Sequence, residues 1–234
     1  MKDKCVLVTG SSSGIGYEIT SKLLDLGAKV IGIARNHDKS KLENENYITH
    51  NCDVSNYKKL ETLLKQILKK HPEINCLISN AGYGDFKSLE NFSDKQICDF
   101  LNLNLTSHIL VSKYLVRHMK RRIGGDIIFL GSEAALVGKR QASLYSAAKF
   151  GLRGFAQALR DECGKAGIRV CLINPGFVRS PFFESLNFAP GIEENNAIEP
   201  EDVAKVILDI INLRKGTIID EVNLSPASKS ILFK

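Results

Sequence analysis

The sequence predicts an α/β fold, a doubly wound parallel sheet of about seven strands with helices on both faces. Three observations lead there. Apolar runs of strand length alternate with helical patterns almost throughout the chain. Several runs are continuously apolar, which suits parallel strands buried on both sides. A glycine-rich turn follows the first run and opens directly into a helical pattern.

In order, the strand segments are 5–9, 29–34, 47–51, 76–79, 126–130, 169–173 and 218–224. Helical patterns cover 14–26, 57–70, 94–101, 106–122, 144–166 and 201–213. Right-handed crossovers put these helices on both faces of the sheet, and ligands then bind at the carboxyl ends of the strands. No repeat, low-complexity tract or linker interrupts the pattern, so residues 1–234 are expected to form one domain.

The balance of 44% hydrophobic and 25% charged residues is that of a soluble globular protein. The run Cys5-Val6-Leu7-Val8 is too short for the core of a signal peptide, and no stretch approaches the ~20 apolar residues of a membrane span. A cytoplasmic protein without a membrane partner is expected. The six cysteines stand singly, outside any C-x-x-C pair, and read as buried reduced thiols; no metal is expected. The net charge of +6 arises from Lys58, Lys59, Lys65, Lys69 and Lys70 along an amphipathic helix and from Lys120-Arg121-Arg122 at a helix end. Those are solvated faces, and without a basic stripe interleaved with aromatics nucleic acid is only a minor alternative.

The turn after the first strand reads Thr9-Gly10-Ser11-Ser12-Ser13-Gly14-Ile15-Gly16. Gly10 permits the sharp turn, Gly14 lets main chain approach a pyrophosphate, and Gly16 lets the helix pack closely on the sheet. Free N–H groups of Ser12, Ser13, Gly14 and Ile15, at the positive end of the helix, face the phosphates. The loop lacks the G-K-[ST] ending of a nucleoside triphosphate loop, so a Rossmann-like dinucleotide site is the better reading. At the end of the second strand, where an NAD site places an acid, stand Ala34 and Arg35. A guanidinium can hold a 2′-phosphate through paired charge-assisted bonds, which favours NADP(H) over NAD(H).

Tyr145 and Lys149 are spaced to share one helix face. A phenol of ordinary pKa about 10 is a poor base at neutral pH; a nearby ammonium, with the positive charge of oxidised nicotinamide, favours the phenolate and is expected to bring that pKa down.

The glycine loop together with Tyr145 and Lys149 resembles the short-chain dehydrogenase/reductase family in its single-domain branch, from about residue 4 to residue 226. The resemblance implies roles for further residues in matching order. Asp53 and Val54, after the third strand, would hold the adenine. Asn80, Ala81 and Gly82 would line the cofactor. Asn104 would anchor a water in a proton relay. Ser132, thirteen positions before Tyr145, would bond the substrate oxygen. Pro175, Gly176, Val178 and Ser180 would hold the nicotinamide amide. Ser79 replaces an Asn usual in the family, which should weaken a supporting hydrogen bond. Ser180 replaces a Thr and keeps its hydroxyl. The ending 218–226 lacks the glycine-rich pattern of many relatives and is more similar to that of the hydroxy-acid and serine dehydrogenases.

The resemblance thus implies an oxidoreductase that moves a hydride between NADP(H) and a carbonyl or alcohol substrate. Asn104, Ser132, Tyr145 and Lys149 would be catalytic, with Tyr145 as general acid/base. A non-catalytic NADP(H)-binding sensor or scaffold is the alternative. The aromatic stretch at about 181–196 would form a short lid, leaving a rather open site, with Phe182, Phe183 and Phe188 facing substrate, a second subunit or the gap beneath. The helical patterns 106–122 and 144–166 would form the contact of a homodimer or homotetramer.

Overall fold

The strands are β1 (Cys5–Thr9), β2 (Lys29–Ala34), β3 (Tyr47–Asn51), β4 (Cys76–Ser79), β5 (Gly125–Leu130), β6 (Ile168–Pro175), β7 (Phe188–Pro190), β8 (Glu221–Leu224) and β9 (Ile231–Phe233). The α-helices are α1 (Gly14–Asp25), α2 (Tyr57–Lys70), α3 (Asp94–Leu101), α4 (Ser107–Lys120), α5 (Ser143–Cys163) and α6 (Pro200–Asn212). They come from a computed structural model that describes residues 1–38, 40–122 and 124–234. Seven strands form one parallel sheet in the order β3-β2-β1-β4-β5-β6-β8. The winding reverses between β1 and β4, so a crevice opens at their carboxyl ends.

The unbroken apolar runs have the cause inferred from sequence. In β1, Cys5 and Leu7 face a core under α2, α4 and α5, whereas Val6 and Val8 face a core under α1 and α6. A strand buried on both sides has no solvent face on which to alternate. A third apolar cluster, with Phe92, Phe100, Leu144 and Tyr145, packs at the carboxyl edge of the sheet. Asn56 caps α2 through its side chain, and Ser93 with Gln96 forms a reciprocal capping box on α3. No helix among the described residues is long and apolar enough to cross a membrane.

Four details depart from the sequence pattern. Strand β8 starts only at Glu221, because Ile219 packs against the core without joining the ladder. Helix α5 ends at Cys163 and tightens into a 3-10 turn, Gly164–Ala166, before Gly167 turns left-handed at φ 70°. A π-turn, Asn102–Thr106, joins α3 to α4. Strands β7 and β9, which the sequence did not announce, pair antiparallel as a separate two-stranded sheet.

Candidate active site

The glycine loop turns at Gly10, where φ is 70° and a Cβ would meet Asn80 Nδ2 at 2.8 Å. Asn80 Nδ2 donates to the carbonyls of Thr9 and Gly10, at 3.1 and 3.2 Å, while the Asn80 and Ala81 N–H groups both donate to Thr9 Oγ1. The β4 segment therefore clamps the loop. Gly16 is needed for a closer reason than helix-on-sheet packing. A Cβ there would stand inside contact distance of the Gly10 carbonyl and the Asn80 amide, so the loop could not fold over itself. Ser13 occupies the N-cap of α1 without a capping side-chain bond, and the first turn carries no acid. Those N–H groups remain available to an anion.

Arg35 is exposed just past β2, with no ion pair or side-chain hydrogen bond recorded among the described residues. Asp53 spends Oδ1 on the Ser55 N–H and hydroxyl, at 2.9 and 2.7 Å, and keeps Oδ2. These groups fit a dinucleotide carrying a 2′-phosphate. The main chain makes a cradle that a Cβ would fill, Asp53 lines the same cavity with Oδ2 unbonded among the described residues, and the Arg35 guanidinium is unspent there.

The Ser79 hydroxyl pairs with His108 Nδ1 at 2.7 Å, so α4 supplies a buried partner at this position. Burial, reinforced by the charge of Lys149, pushes the His108 imidazole down to about 3.

At the other end, Ser132 follows β5. Its N–H donates to Asn174 Oδ1 at 3.2 Å, and its Oγ accepts from the Ala134 N–H. Tyr145 and Lys149 share the inner face of α5, with Lys149 Nζ 5.7 Å from the centre of the Tyr145 ring. Lys149 Nζ donates to the Leu130 carbonyl at 2.9 Å. Lys149 is expected to act on the Tyr145 pKa together with the positive charge of oxidised nicotinamide; the protein's own groups acting alone shift it upward. Burial pushes the phenol up to about 12, a hydrogen bond with Ser132 opposes this, and the Glu133 carboxylate adds to the rise. Burial likewise pushes the Lys149 amine down to about 8. Desolvation outweighs mutual attraction because both groups lie beneath the surface.

Asn104 sits in the π-turn. Its Nδ2 donates to the Phe100 carbonyl at 3.2 Å and its Oδ1 accepts from the Tyr83 N–H. One amide N–H and one oxygen lone pair are thereby engaged within the fold, and the second N–H is left. After β6, the Gly176 N–H donates to the Leu224 carbonyl at 2.8 Å and Ser180 opens a 3-10 turn. That run brings Pro175, Gly176, Val178 and Ser180 to the crevice.

A cavity of about 920 Å³ joins these places. Every site residue named from sequence lines it except Gly16, which lies behind the loop it shapes. The aromatic rings of the lid turn inward. Phe182 lies 6.1 Å from the Tyr145 ring, and Phe86 lies 5.1 Å from it. Strand β9 pairs with β7, which lies within the stretch expected to form the lid. Sequence reading missed Phe86, Glu133, Val137, Ile231 and Phe233, all of which line the cavity. Only the apolar triplet Ile231-Leu232-Phe233 carried a signal, that of a short strand after turn residues.

A family model described as short chain dehydrogenase matches residues 4–190. The 3-oxoacyl-[acyl-carrier-protein] reductase FabG of Haemophilus influenzae is 32% identical over 218 residues, covering 88% of this chain and 90% of that protein. Among solved structures, an alcohol dehydrogenase from the archaeon Thermococcus sibiricus complexed with 5-hydroxy-NADP superposes with a TM-score of 0.86 at 24% identity, covering 97% of this chain and 98% of that one. A 3-ketoacyl-(acyl-carrier-protein) reductase from Brucella melitensis complexed with NADH gives a TM-score of 0.85 at 21% identity, covering 95% of this chain and 97% of that one. At these identities the two structures speak for the fold.

Proposed function

The chain belongs to the short-chain dehydrogenase family, and from that premise we propose that it is an NADP(H)-dependent oxidoreductase of carbonyl/alcohol pairs with Tyr145 as its general acid/base. The observation that carries this reading is the single cavity with the glycine loop and Arg35 at one end and Ser132, Tyr145 and Lys149 at the other. When bound, NADPH supplies the hydride that the carbonyl carbon receives.

The residues of the chain account for the rest. With its pKa held at about 12, the Tyr145 phenol carries its proton at neutral pH and begins the reducing direction as an acid. Ser132 and Tyr145 donate to the carbonyl oxygen and stabilise the charge that develops there; Tyr145 then passes its proton to that oxygen. Lys149, whose ammonium gives one hydrogen to the Leu130 carbonyl, has two left for ribose hydroxyls. Its positive charge stabilises the Tyr145 phenolate until the phenol is reprotonated. The second amide N–H of Asn104 and the main chain of the π-turn are the groups there able to hold a relay water. Arg35 supports NADP(H) over NAD(H), and the outward faces of α4 and α5 would assemble a homodimer or homotetramer.

The test is oxidation of NADPH by the purified protein against aldehydes, ketones, diketones and keto acids, with NADH in parallel. Tyr145→Phe should lower turnover by about 10³-fold or more while leaving NADPH affinity within about twofold. Turnover surviving that substitution removes Tyr145 from its role. Tight NADPH binding with no turnover across the panel favours the sensor reading.

A further inference from the structure

The segment 228–234 is knitted to the lid along its length. Strand β9 pairs with β7 through Phe188↔Phe233, Ala189↔Leu232 and Pro190↔Ile231. The Gly191 N–H donates to the Ser230 carbonyl at 3.0 Å, and the Lys234 N–H donates to the Asn187 carbonyl at 2.8 Å. Lys234 Nζ donates to the Phe183 carbonyl at 2.7 Å, and Asn196 Nδ2 donates to the Ser228 carbonyl at 3.1 Å. At its near end Lys229 forms an ion pair with Glu133, the residue after Ser132.

A second observation concerns the mouth of the cavity. Tyr83, Val137, Ile231 and Phe233 are all exposed large apolar side chains, Phe233 at 80%, and all line this one cavity. Apolar side chains left in water around a mouth mark a surface that a ligand covers. Deeper in, Phe86 and Phe182 flank Tyr145, and Phe188 lies 5.3 Å from Phe86. The apolar lining therefore runs from the Tyr145 phenol to the rim.

We propose that the segment 228–234 is a strap that completes the substrate site, and that the site takes a neutral carbonyl compound with an extended apolar body. This deepens the oxidoreductase reading and rests on it. The carbonyl lies at Ser132 and Tyr145, and the apolar body passes the aromatic rings to the rim, where Ile231 and Phe233 close over it. A 2-keto acid fits poorly. Its carboxylate would sit beside the carbonyl, close to the Glu133 carboxylate; Lys229 is already paired with Glu133, and the further cations Lys139 and Arg140 are exposed to water, where their charge is screened.

The experiment compares the wild type with the double variant Ile231→Ala/Phe233→Ala. Both side chains are exposed, so the fold is not at stake. NADPH oxidation is measured with acetonaphthone, butanone and pyruvate, and NADPH affinity is measured alongside. The wild type should prefer acetonaphthone to both other compounds. The variant should lose the ratio of kcat/KM for acetonaphthone over butanone by about tenfold, with NADPH affinity unchanged. An unchanged ratio, or a wild type that prefers pyruvate, overturns the proposal while leaving the oxidoreductase reading intact. If the wild type reduces no carbonyl at all, the oxidoreductase reading fails and the strap is judged by calorimetry with NADP+-loaded protein. Acetonaphthone binding weakened about tenfold in the variant then supports the strap; equal binding, or none to the wild type, overturns it.

Discussion

At the Gly10 end of the cavity the wall is largely main chain from the carboxyl ends of β1, β2 and β4; at the Tyr145 end it is aromatic side chain from four separate stretches around Phe86, Tyr145, Phe182 and Phe233. The Gly10 end is braced by local hydrogen bonds, with Asn80 stitched to Thr9 and Gly10. The Tyr145 end is braced by ring packing and by a strand arriving from the far end of the sequence. Main chain approaching a ligand tolerates few substitutions and so leaves a recognisable spacing. An apolar wall can be built from any adequate ring and leaves none. The two ends should therefore fail separately, and in different observables.

The largest effect belongs to the glycine loop. Gly16→Ala drives a Cβ into the Gly10 carbonyl, which is main chain and cannot swing aside. NADPH affinity should fall by roughly 100-fold and stability by about 1–3 kcal/mol, read by titration and thermal melting. Normal affinity would mean that the loop opens at little cost. Next comes Arg35→Asp, which replaces the unspent guanidinium with a repelling charge. NADPH affinity should drop about 100-fold and NADH affinity much less; an unchanged preference would place the 2′-phosphate elsewhere.

Phe86→Ala probes the opposite end. An apolar substrate should lose about tenfold in kcat/KM while NADPH affinity stays put. Should both fall together, the two ends are not separable. The smallest effect is on stability, at Lys149, which serves both ends. Its folded pKa, about 8, lies below the ordinary value of 10.5, so burying the ammonium costs stability below about pH 8. That cost fades as pH rises from about 8 to 10.5, so Lys149 contributes a rising share of stability across this window. The Cys5 and Cys171 thiols, held up at about 12 by burial, contribute a falling share above about pH 9. Lys149→Met should remove only the Lys149 share, read as a stability difference between wild type and variant that shrinks from pH 8 to 10.5. After loss of the Leu130 bond it should gain about 1–2 kcal/mol at pH 7, or a few degrees in Tm. A less stable variant at pH 7 would show that the ammonium is better solvated than its burial implies.

Most of the sheet was legible because burial on both faces writes continuous apolar runs, and the positions of β1, β2 and β4 follow from them directly, whereas β3 is a partly exposed edge strand. The π-turn at Asn102–Thr106 was not, since one extra residue in a helical turn barely disturbs an apolar period. The Ser79–His108 pair was hidden for another reason. Its partners are 29 residues apart, and nothing in the spacing says that a histidine on α4 faces the end of β4. Strand β9 is too short and too exposed to alternate convincingly.

What the sequence by itself determined is the parallel sheet, the glycine loop and many, though not all, of the residues that meet at the crevice. Each depends on local chemistry repeated at fixed spacing: apolar runs, glycines at a turn, and a Tyr and a Lys on one helix face. Only the tertiary structure decided the direction of the pKa shifts at Tyr145 and Lys149, the approach of the Phe182 ring to Tyr145, and the pairing of β9 with β7. Those depend on how deeply a group is removed from water and on which distant segment covers it, and both are set when the chain folds.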